Sequence, residues 1–255
     1  MPVEFFPSDW LFLILAAPFI GSFLGVVAAR FPTRESVVFG RSACPHCGHR
    51  LAARDLVPIL SWILQRRRCR YCATPIELFY PLMEIGALLV AVSAAPLFSG
   101  WLLWASCGLG WALLTIAAID YRCMILPDEL TLPLIPAGLG VSYLLDPDRI
   151  AGHAIGTVVG FVAFYIIGWL YRQIRGRDGL GMGDAKLLAA SGAWVSTSGL
   201  PSVVFLSATT GLLVVIAAML AGRRFSSNDK VLFGSYLCLG TWFVWLFGPL
   251  LLSAG

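Results

Sequence analysis

The amino-acid sequence predicts an all-α polytopic membrane protein of about eight transmembrane helices with one small cytoplasmic loop domain. Hydrophobic residues make up 58% of the 255 residues and charged residues only 13%, about half the charged fraction of an average soluble protein. A chain with 16 Phe and 9 Trp would not stay solvated as a disordered polypeptide. The mean hydropathy of +0.83 also excludes a soluble globule of this size.

Eight apolar segments meet or approach the length of about 20 residues that a helix needs to cross a bilayer. The fourth and sixth are short, and the fourth contains Pro133 and Pro136, which remove backbone donors. Acidic residues precede the first segment, so we do not expect a cleaved signal peptide. The predicted spans are residues 10–29, 78–98, 101–119, 130–145, 151–171, 187–200, 201–221 and 231–252.

The positions of the Lys and Arg residues predict the orientation. Cytoplasmic loops carry the excess of these residues, and with eight spans all but Arg149 fall in loops on one side of the membrane. Both termini are therefore predicted outside. Without the short sixth span, Arg223, Arg224 and Lys230 would lie outside, so the charge pattern supports that span.

The polar loop at residues 30–77 contains two Cys-x-x-Cys pairs, Cys44 with Cys47 and Cys69 with Cys72. Together they offer four thiolates, the tetrahedral sulfur set that zinc prefers. Disulfides are not expected in the reducing cytoplasm. The pattern predicts a structural zinc site that folds a loop too small to build its own core. Free thiols or redox-active cysteines are the alternatives.

Two aspartates at the predicted cytoplasmic edge are the candidate catalytic residues. Asp120 ends the third span and Asp184 opens the sixth. A charge at mid-bilayer costs about 2.5–3.5 kcal/mol, so an acidic residue near a span is expected to have a function. Two close carboxyl groups share a proton, and one then acts as base on water while the other acts as acid toward a carbonyl. Alternatively, Asp184 only caps a helix and Asp120 pairs with Arg122.

Residues near the aspartates have supporting roles in this interpretation. Gly181 and Gly183 allow close approach of a substrate backbone at a helix start. Lys186 neutralises a carboxylate or extends to the membrane interface. Asp128 is predicted to be the N-cap of the fourth span. Glu84, in the second span, finds a partner in the helix bundle or faces the interface.

Motifs along nearly the whole chain resemble the bacterial type IV prepilin peptidases, aspartic intramembrane proteases of the GxGD class. The most specific motif is Gly181-Met182-Gly183-Asp184-Ala185-Lys186. The others are Gly21-Ser22-Phe23-Leu24, both cysteine pairs, Pro58-Ile59-Leu60-Ser61-Trp62, Tyr80-Pro81-Leu82-Met83-Glu84, the segment from Asp120 to Pro133, and Phe233-Gly234.

Three positions depart from the family pattern. Gly25 stands where Asn is common, Phe79 where Arg is usual, and Ser235 where Pro follows Phe-Gly. Because Gly25 and Phe79 lie around the cytoplasmic loop, they bear more on methylation than on proteolysis.

The resemblance implies an enzyme that cleaves the leader of prepilins or pseudopilins after a glycine, at the cytoplasmic side of the bacterial inner membrane, with Asp120 and Asp184 as its catalytic pair. Members with the cysteine loop usually also N-methylate the new terminal residue, often Phe, with S-adenosylmethionine as donor. The expected partners are these substrates and the lipid bilayer. No nucleic-acid partner is expected.

The predicted organisation has three parts: a first transmembrane helix at residues 1–29, a methyltransferase-associated cysteine loop at 30–77, and a membrane-embedded aspartic peptidase at 78–255. Two other functions stay open from the sequence. One is a methyltransferase whose protease activity is lost or minor. The other is a cation transporter whose aspartates bind ions, although the sequence shows no inverted repeat of the kind found in many transporters.

Overall fold

A computed structural model describes residues 8–31, 42–176, 179–223 and 232–250. These residues are predominantly helical, as predicted. Short 3₁₀ turns lie at Ala53–Asp55 and Pro147–Arg149. The α-helices within the described ranges are α1 (Ser8–Arg30), α2 (Leu60–Leu64), α3 (Phe79–Ala94), α4 (Gly100–Cys123), α5 (Asp128–Leu145), α6 (Ile150–Arg175), α7 (Met182–Leu220) and α8 (Phe233–Phe247).

Four helical segments of the described chain are long and apolar enough to cross a membrane, and α3 and α8 are shorter apolar helices. The chain is therefore an α-helical membrane protein. The four segments are Asp9–Arg30, Gly100–Cys123, Pro147–Arg175 and Met182–Leu220. Several residues of the orientation argument lie outside the described residues: Arg34, Arg41, Arg177, Arg224 and Lys230.

The chain forms two compact units, Met1–Ala118 and Ile119–Gly255. In the first unit, α1 packs directly on α3. A Cβ atom at Gly21 would lie 2.6 Å from the carbonyl oxygen of Met83 and 2.7 Å from the Cα of Glu84. Only glycine fits at this crossing, and small residues are what allow membrane helices to approach closely.

In the second unit, α7 lies at the centre and contacts α5, α6 and α8. The contact with α6 is again made at small residues. A Cβ atom at Gly160 would lie 2.6 Å from the carbonyl oxygen of Leu188. The first half of α7 therefore packs backbone against backbone on α6, which fixes the position of the helix start that carries Asp184.

The helix α7 folds back on itself at Ser196, whose φ of 62° and ψ of 175° are not helical. The Oγ of Ser191 is 2.6 Å from the Oγ1 of Thr241, and a Cβ at the neighbouring Gly240 would lie 2.7 Å from the carbonyl oxygen of Val203. In a straight helix, residues 191 and 203 would be about 18 Å apart. Because both contact the same point of α8, the two halves run in opposite directions.

These two halves correspond to the predicted sixth and seventh spans, but the predicted boundary between residues 200 and 201 is wrong. Pro201 lies inside the second half. The reversal is made by Ser196, a residue type that rarely adopts positive φ, so the sequence contains no Gly or Pro signal at the actual break.

Candidate active site and candidate metal centre

Asp120 lies in the last turn of α4 and is buried, with 6% of its surface exposed. Ser235, in the first turn of α8, donates two hydrogen bonds to its Oδ2 atom, from the backbone N at 2.7 Å and from Oγ at 2.8 Å. The first N–H groups of a helix have no partner within the helix and favour an anionic group. The start of α8 therefore holds and orients the Asp120 carboxyl group.

Asp184 is the third residue of α7, and its Oδ2 accepts a hydrogen bond from the backbone N of Gly181 at 3.1 Å. Its carboxyl group is also close enough to Asp120 for an electrostatic interaction. The capping role considered from the sequence is therefore present, and the electrostatic interaction with Asp120 is compatible with it.

Leu126 lies between the two helix starts of this site. A Cβ atom at Gly183 would lie 2.8 Å from the Cβ of Leu126. A Cβ at Gly234 would lie 2.8 Å from the Cδ2 of Leu126 and 3.1 Å from Oδ2 of Asp120. The two glycines let the starts of α7 and α8 close on one leucine, with Asp184 next to Gly183 and Asp120 beside Gly234.

Lys186 forms an ion pair with Asp128, its Nζ lying 2.8 and 2.7 Å from the two carboxylate oxygens. The prediction that Asp128 is the N-cap of its helix is wrong by one residue, because the extended residue before α5 is Pro127. The Asp128 carboxylate binds Lys186 instead. This pair joins the first turns of α5 and α7.

The four loop cysteines form one cluster in the first unit. Their sulfur atoms all lie within 4.8 Å of one another, and those of Cys44 and Cys72 are 3.7 Å apart. None of the cysteines in the described chain is in a disulfide. Tetrahedral zinc with bonds of about 2.3 Å would place its sulfur ligands about 3.8 Å apart. The donor set and spacing fit a metal of that kind.

The two cysteine pairs adopt the same local turn. The N atom of Cys44 donates to His49 O and that of Gly48 to Cys44 O, and the N atoms of Cys69 and Ala73 donate in the same pattern. Gly48 has φ 68° and Ala73 has φ 58°, and an isolated β-bridge closes each turn. Two copies of one turn thus present two sulfur atoms each.

Hydrogen bonds within these turns favour the thiolate form of Cys44 and Cys72. At Cys47, a hydrogen bond from the backbone of His49 lowers the pKa, but burial and the neighbouring Cys44 and Cys72 outweigh it and raise the pKa to about 11. The Sγ of Cys72 donates to the hydroxyl oxygen of Thr74 at 3.2 Å. Hydrogen bonding with the side chain and then the backbone of Thr74 lowers the pKa of Cys72 to about 6. Backbone N–H groups of Cys47 and His46 lower the pKa of Cys44. A thiolate is the form that binds metal.

Comparison with known proteins places the chain in a family. The model of the bacterial peptidase A24 N-terminal domain matches residues 15–98, and that of the type IV leader peptidase family matches residues 107–216. A prepilin leader peptidase/N-methyltransferase of Burkholderia pseudomallei (strain 1026b) is 40% identical, over 90% of this chain and 82% of the relative.

The chain belongs to the type IV leader peptidase family. Relatives with the same name from Aeromonas hydrophila and Pectobacterium carotovorum subsp. carotovorum are 36% and 32% identical. The first alignment covers 94% of this chain and 92% of the relative, and the second covers 93% of each. No solved structure matches the chain significantly.

Within this leader peptidase family member, the cysteine cluster lies in the segment matched by the N-terminal domain, and both aspartates lie in the segment matched by the peptidase family. Gly183 contacts Leu126, whereas a Cβ at Gly181 would have only the Asp184 carboxylate close by, at 3.2 Å. The two glycines therefore differ in their structural role.

Sequence reasoning missed Leu126 and the contribution of Ser235. The only sequence signal for Ser235 is that it departs from the proline of the family pattern, and proline has no N–H to donate. Leu126 lies within the motif segment that runs from Asp120 to Pro133, but nothing in its residue type indicates a role beside two glycines.

Sequence reasoning also missed Asp55, a buried carboxylate in the cysteine loop. Arg70, between the second pair of cysteines, donates to it at 2.8 Å, and the N atom of Ala52 donates at 3.2 Å. Burial opposes the charge on Asp55, but the Arg70 hydrogen bond, the Ala52 hydrogen bond and the Arg70 charge outweigh it and lower the pKa of Asp55. This group ties one cysteine turn to the rest of the loop.

Proposed function

We propose that the chain cleaves the leader of type IV prepilins or pseudopilins after a glycine at the cytoplasmic membrane face and N-methylates the new terminal residue. The observation that supports the peptidase activity is the electrostatic interaction of Asp120 and Asp184, which come from two different helices that pack beside Leu126. The named activity of the relatives, prepilin leader peptidase/N-methyltransferase, supports both reactions.

The proposed cleavage uses the two carboxyl groups as a pair that shares one proton. One carboxylate takes a proton from a water molecule as the water oxygen bonds to the carbonyl carbon of the scissile peptide. The other carboxyl group gives its proton to the carbonyl oxygen. Collapse of the tetrahedral intermediate breaks the C–N bond, and a proton returned to nitrogen releases the new amino terminus.

In this proposal, other residues hold the pair in place. Ser235 orients Asp120, and Gly183 lets the start of α7 approach Leu126. Gly181 caps the helix through Asp184 and leaves room beside it for an extended substrate backbone. Lys186 keeps α7 next to α5 through Asp128.

We further propose that Cys44, Cys47, Cys69 and Cys72 hold one structural zinc ion, because the sulfur spacing and the paired turns suit a closed tetrahedral site. A closed site has no open position for a substrate, so its contribution is to fold the loop. S-Adenosylmethionine is the proposed methyl donor, and the N-methyltransferase name of the relatives supports it.

The proposed topology keeps eight spans with both termini outside and the active site at the cytoplasmic face of the bacterial inner membrane. Counting the two halves of α7 and leaving out the short α2, the described chain has one helical segment for each of the eight predicted spans. In the proposed domain organisation, residues 1–29 form the first span, residues 30–77 form the methyltransferase-associated cysteine loop, and residues 78–255 contain the peptidase.

Incubation of the purified full-length protein in nanodiscs with a synthetic prepilin tests this function. Mass spectrometry of the product should show cleavage after the glycine and, with S-adenosylmethionine present, a terminal residue heavier by one methyl group. Asp120→Asn and Asp184→Asn should each abolish cleavage, whereas Asp148→Asn, at an exposed aspartate in a turn between α5 and α6, should not.

Full cleavage by both single variants would overturn the peptidase assignment. Methylation of a precleaved prepilin by a wild type that cannot cleave would favour the methyltransferase alternative. Ion flux in liposomes without any processing of prepilin would favour the transporter.

A further inference from the structure

The short helix α2 has two distinct sides within the cysteine loop. One side borders a cavity of about 260 Å³ between α1, α3 and the loop, and the residues that line the cavity there are Ser61, Trp62 and the following Gln65. At about 100° per residue, the remaining α2 residues project to the opposite side. That side and the preceding turn consist of exposed apolar residues: Val57, Leu60, Ile63 and Leu64. We call these four residues the α2 surface.

Contacts with the apolar helix α3 fix the position of α2. The backbone N of Ile59, the residue before α2, donates a hydrogen bond to Oε2 of Glu84 at 2.6 Å. Glu84 lines the same cavity and lies in the second turn of α3, where it is buried. The neighbouring Leu82 and Ile85 of α3 are exposed apolar residues, as expected of a helix in contact with lipid. The α2 surface therefore begins within reach of the bilayer.

Exposed apolar residues on the α2 surface require an explanation in a loop that is otherwise polar. Contiguous apolar patches at a surface mark sites of contact with another protein or a membrane. With five residues, α2 is too short to cross a bilayer. An amphipathic segment can instead lie in the plane of the interface, with its apolar side among the acyl chains.

A run of three arginines follows α2 directly. Residues 66–68 are all exposed, and within the described ranges none of them forms an ion pair with an acidic residue. Asp55 is the only acidic residue between positions 50 and 76, and it is buried and paired with Arg70. Positive charge without an acidic partner in the described chain therefore adjoins the α2 surface.

We propose that the α2 surface docks on the lipid bilayer, with its apolar side chains among the acyl chains and the arginines at 66–68 on anionic headgroups. Anionic lipids give the cytoplasmic leaflet a negative surface potential that attracts basic residues next to a membrane helix. In the proposed topology, on which this inference rests, the loop lies on that side. Arg67 lies over the Trp62 ring at 5.0 Å, so the arginine run is held against α2. A second copy of the chain would bring the same positive charge and be repelled.

Docking of this kind would hold the cysteine centre at the membrane surface. Cys69 follows the arginine run in the chain. Two side chains beside the cavity also reach the rest of the loop. Trp62 donates from Nε1 to Ile76 O at 3.4 Å, and Gln65 donates from Nε2 to Oδ1 of Asp55 at 3.4 Å. A membrane-bound α2 would therefore fix the second cysteine turn relative to the bilayer.

Photolabelling of the full-length protein in nanodiscs tests this docking without requiring cleavage or methylation. Peptides that contain α2 and the three arginines should be labelled by photoactivatable phosphatidylglycerol, an anionic lipid. The phosphatidylcholine analogue with the same acyl chains should label them less. High salt should reduce the preference for the anionic lipid, because it screens exposed charges.

The triple variant Arg66→Gln, Arg67→Gln and Arg68→Gln isolates the contribution of charge. Each basic residue near an anionic surface strengthens binding by a factor of about five, so labelling by phosphatidylglycerol should fall by about tenfold or more. Arg149→Gln, at an exposed arginine outside the cysteine loop, is the matched control and should be labelled like the wild type. Continued prepilin cleavage shows that the triple variant is folded.

The double variant Leu60→Gln and Leu64→Gln isolates the apolar contact, and labelling of α2 peptides by both lipids should fall. The proposal is overturned if neither lipid labels α2 in the wild type, if both label it equally, or if the triple arginine variant is labelled like the wild type. Crosslinking of α2 to a prepilin or to a second copy, in place of lipid, would also overturn it. A wild type that is labelled as expected but neither cleaves nor methylates would support the docking and contradict the proposed function.

Discussion

The carboxyl group of Asp120 accepts both the backbone N–H and the hydroxyl of Ser235 on a single oxygen, at 2.7 and 2.8 Å. This relationship links the end of α4 to the first turn of α8 across 115 residues of sequence. Ser235 departs from the proline of the family pattern, and these two hydrogen bonds give it a structural role. In this chain, the residue after Phe233-Gly234 supplies two donors to one of the proposed catalytic carboxylates.

Ser235→Ala is expected to lower kcat for leader cleavage by about 10- to 100-fold, with KM little changed, because one hydrogen bond to a charged group is worth about 1.5–3 kcal/mol. Ser235→Thr keeps the hydroxyl and should recover most of the rate. Steady-state kinetics on a synthetic prepilin check this. An alanine variant with wild-type kcat would show that the hydroxyl does not position Asp120.

Gly183→Ala and Gly234→Ala are each expected to reduce cleavage strongly, because the added Cβ would lie 2.8 Å from an atom of Leu126. Combining Gly234→Ala with Leu126→Ala should restore part of the activity, because the atom it meets is Cδ2 of Leu126, whereas Gly183→Ala should not be rescued, because it meets the Cβ that alanine retains. Gly140→Ala, in α5, meets nothing within 4 Å and is the matched control. The interpretation fails if the double variant of Gly234 and Leu126 is no better than Gly234→Ala alone.

Lys186 and Asp128 are expected to contribute to position and not to the chemical step. Their side chains are 28% and 50% exposed, and exposed ion pairs contribute at most about 1 kcal/mol. Lys186→Gln or Asp128→Asn should therefore lower cleavage by less than about tenfold, and the charge-swapped double variant should recover part of this loss. A loss as complete as that of Asp184→Asn would give Lys186 a direct role.

The cysteine cluster is expected to bind about one zinc ion per chain. Plasma emission spectrometry of the purified protein measures this content. Cys72→Ser should lose the metal and most N-methylation while leader cleavage continues, because the cluster and the aspartates lie in different units. Cys123→Ser, outside the cluster, should change neither. Metal-free wild-type protein, or full methylation by Cys72→Ser, would contradict the assignment.

Asp55→Asn is expected to loosen the cysteine loop and make it more sensitive to limited proteolysis. Since the pKa of Asp55 is lowered in the folded loop, its charge stabilises the loop fully above its unfolded pKa of about 3.9 and is lost only at lower pH. The difference in protease resistance between Asp55→Asn and wild type should therefore be the same at pH 8 and at pH 5.5. A difference that disappears on going to pH 5.5 would show that another group is responsible.

Much of this protein is predictable from local sequence because membrane spans are long and uniform. Predicted spans such as 10–29 and 151–171 fall within α1 and α6. A single segment of about 20 apolar residues can satisfy its own backbone hydrogen bonds in lipid only as a helix. The reversal at Ser196 lies a few residues before the predicted boundary between residues 200 and 201. It could not be predicted because it depends on one residue held at positive φ by its packing.

The sequence by itself determined the helical membrane fold class and the family, and it predicted the four loop cysteines and the two aspartates as site residues, since apolar length, paired cysteines and the Gly-Met-Gly-Asp motif are local patterns. The tertiary structure decided which groups surround them. The partner of Asp120 is 115 residues away, Leu126 contacts two distant glycines, and the cavity beside Glu84 forms only where α1, α3 and the loop meet. Such contacts depend on helix packing, and no periodicity along the chain encodes them.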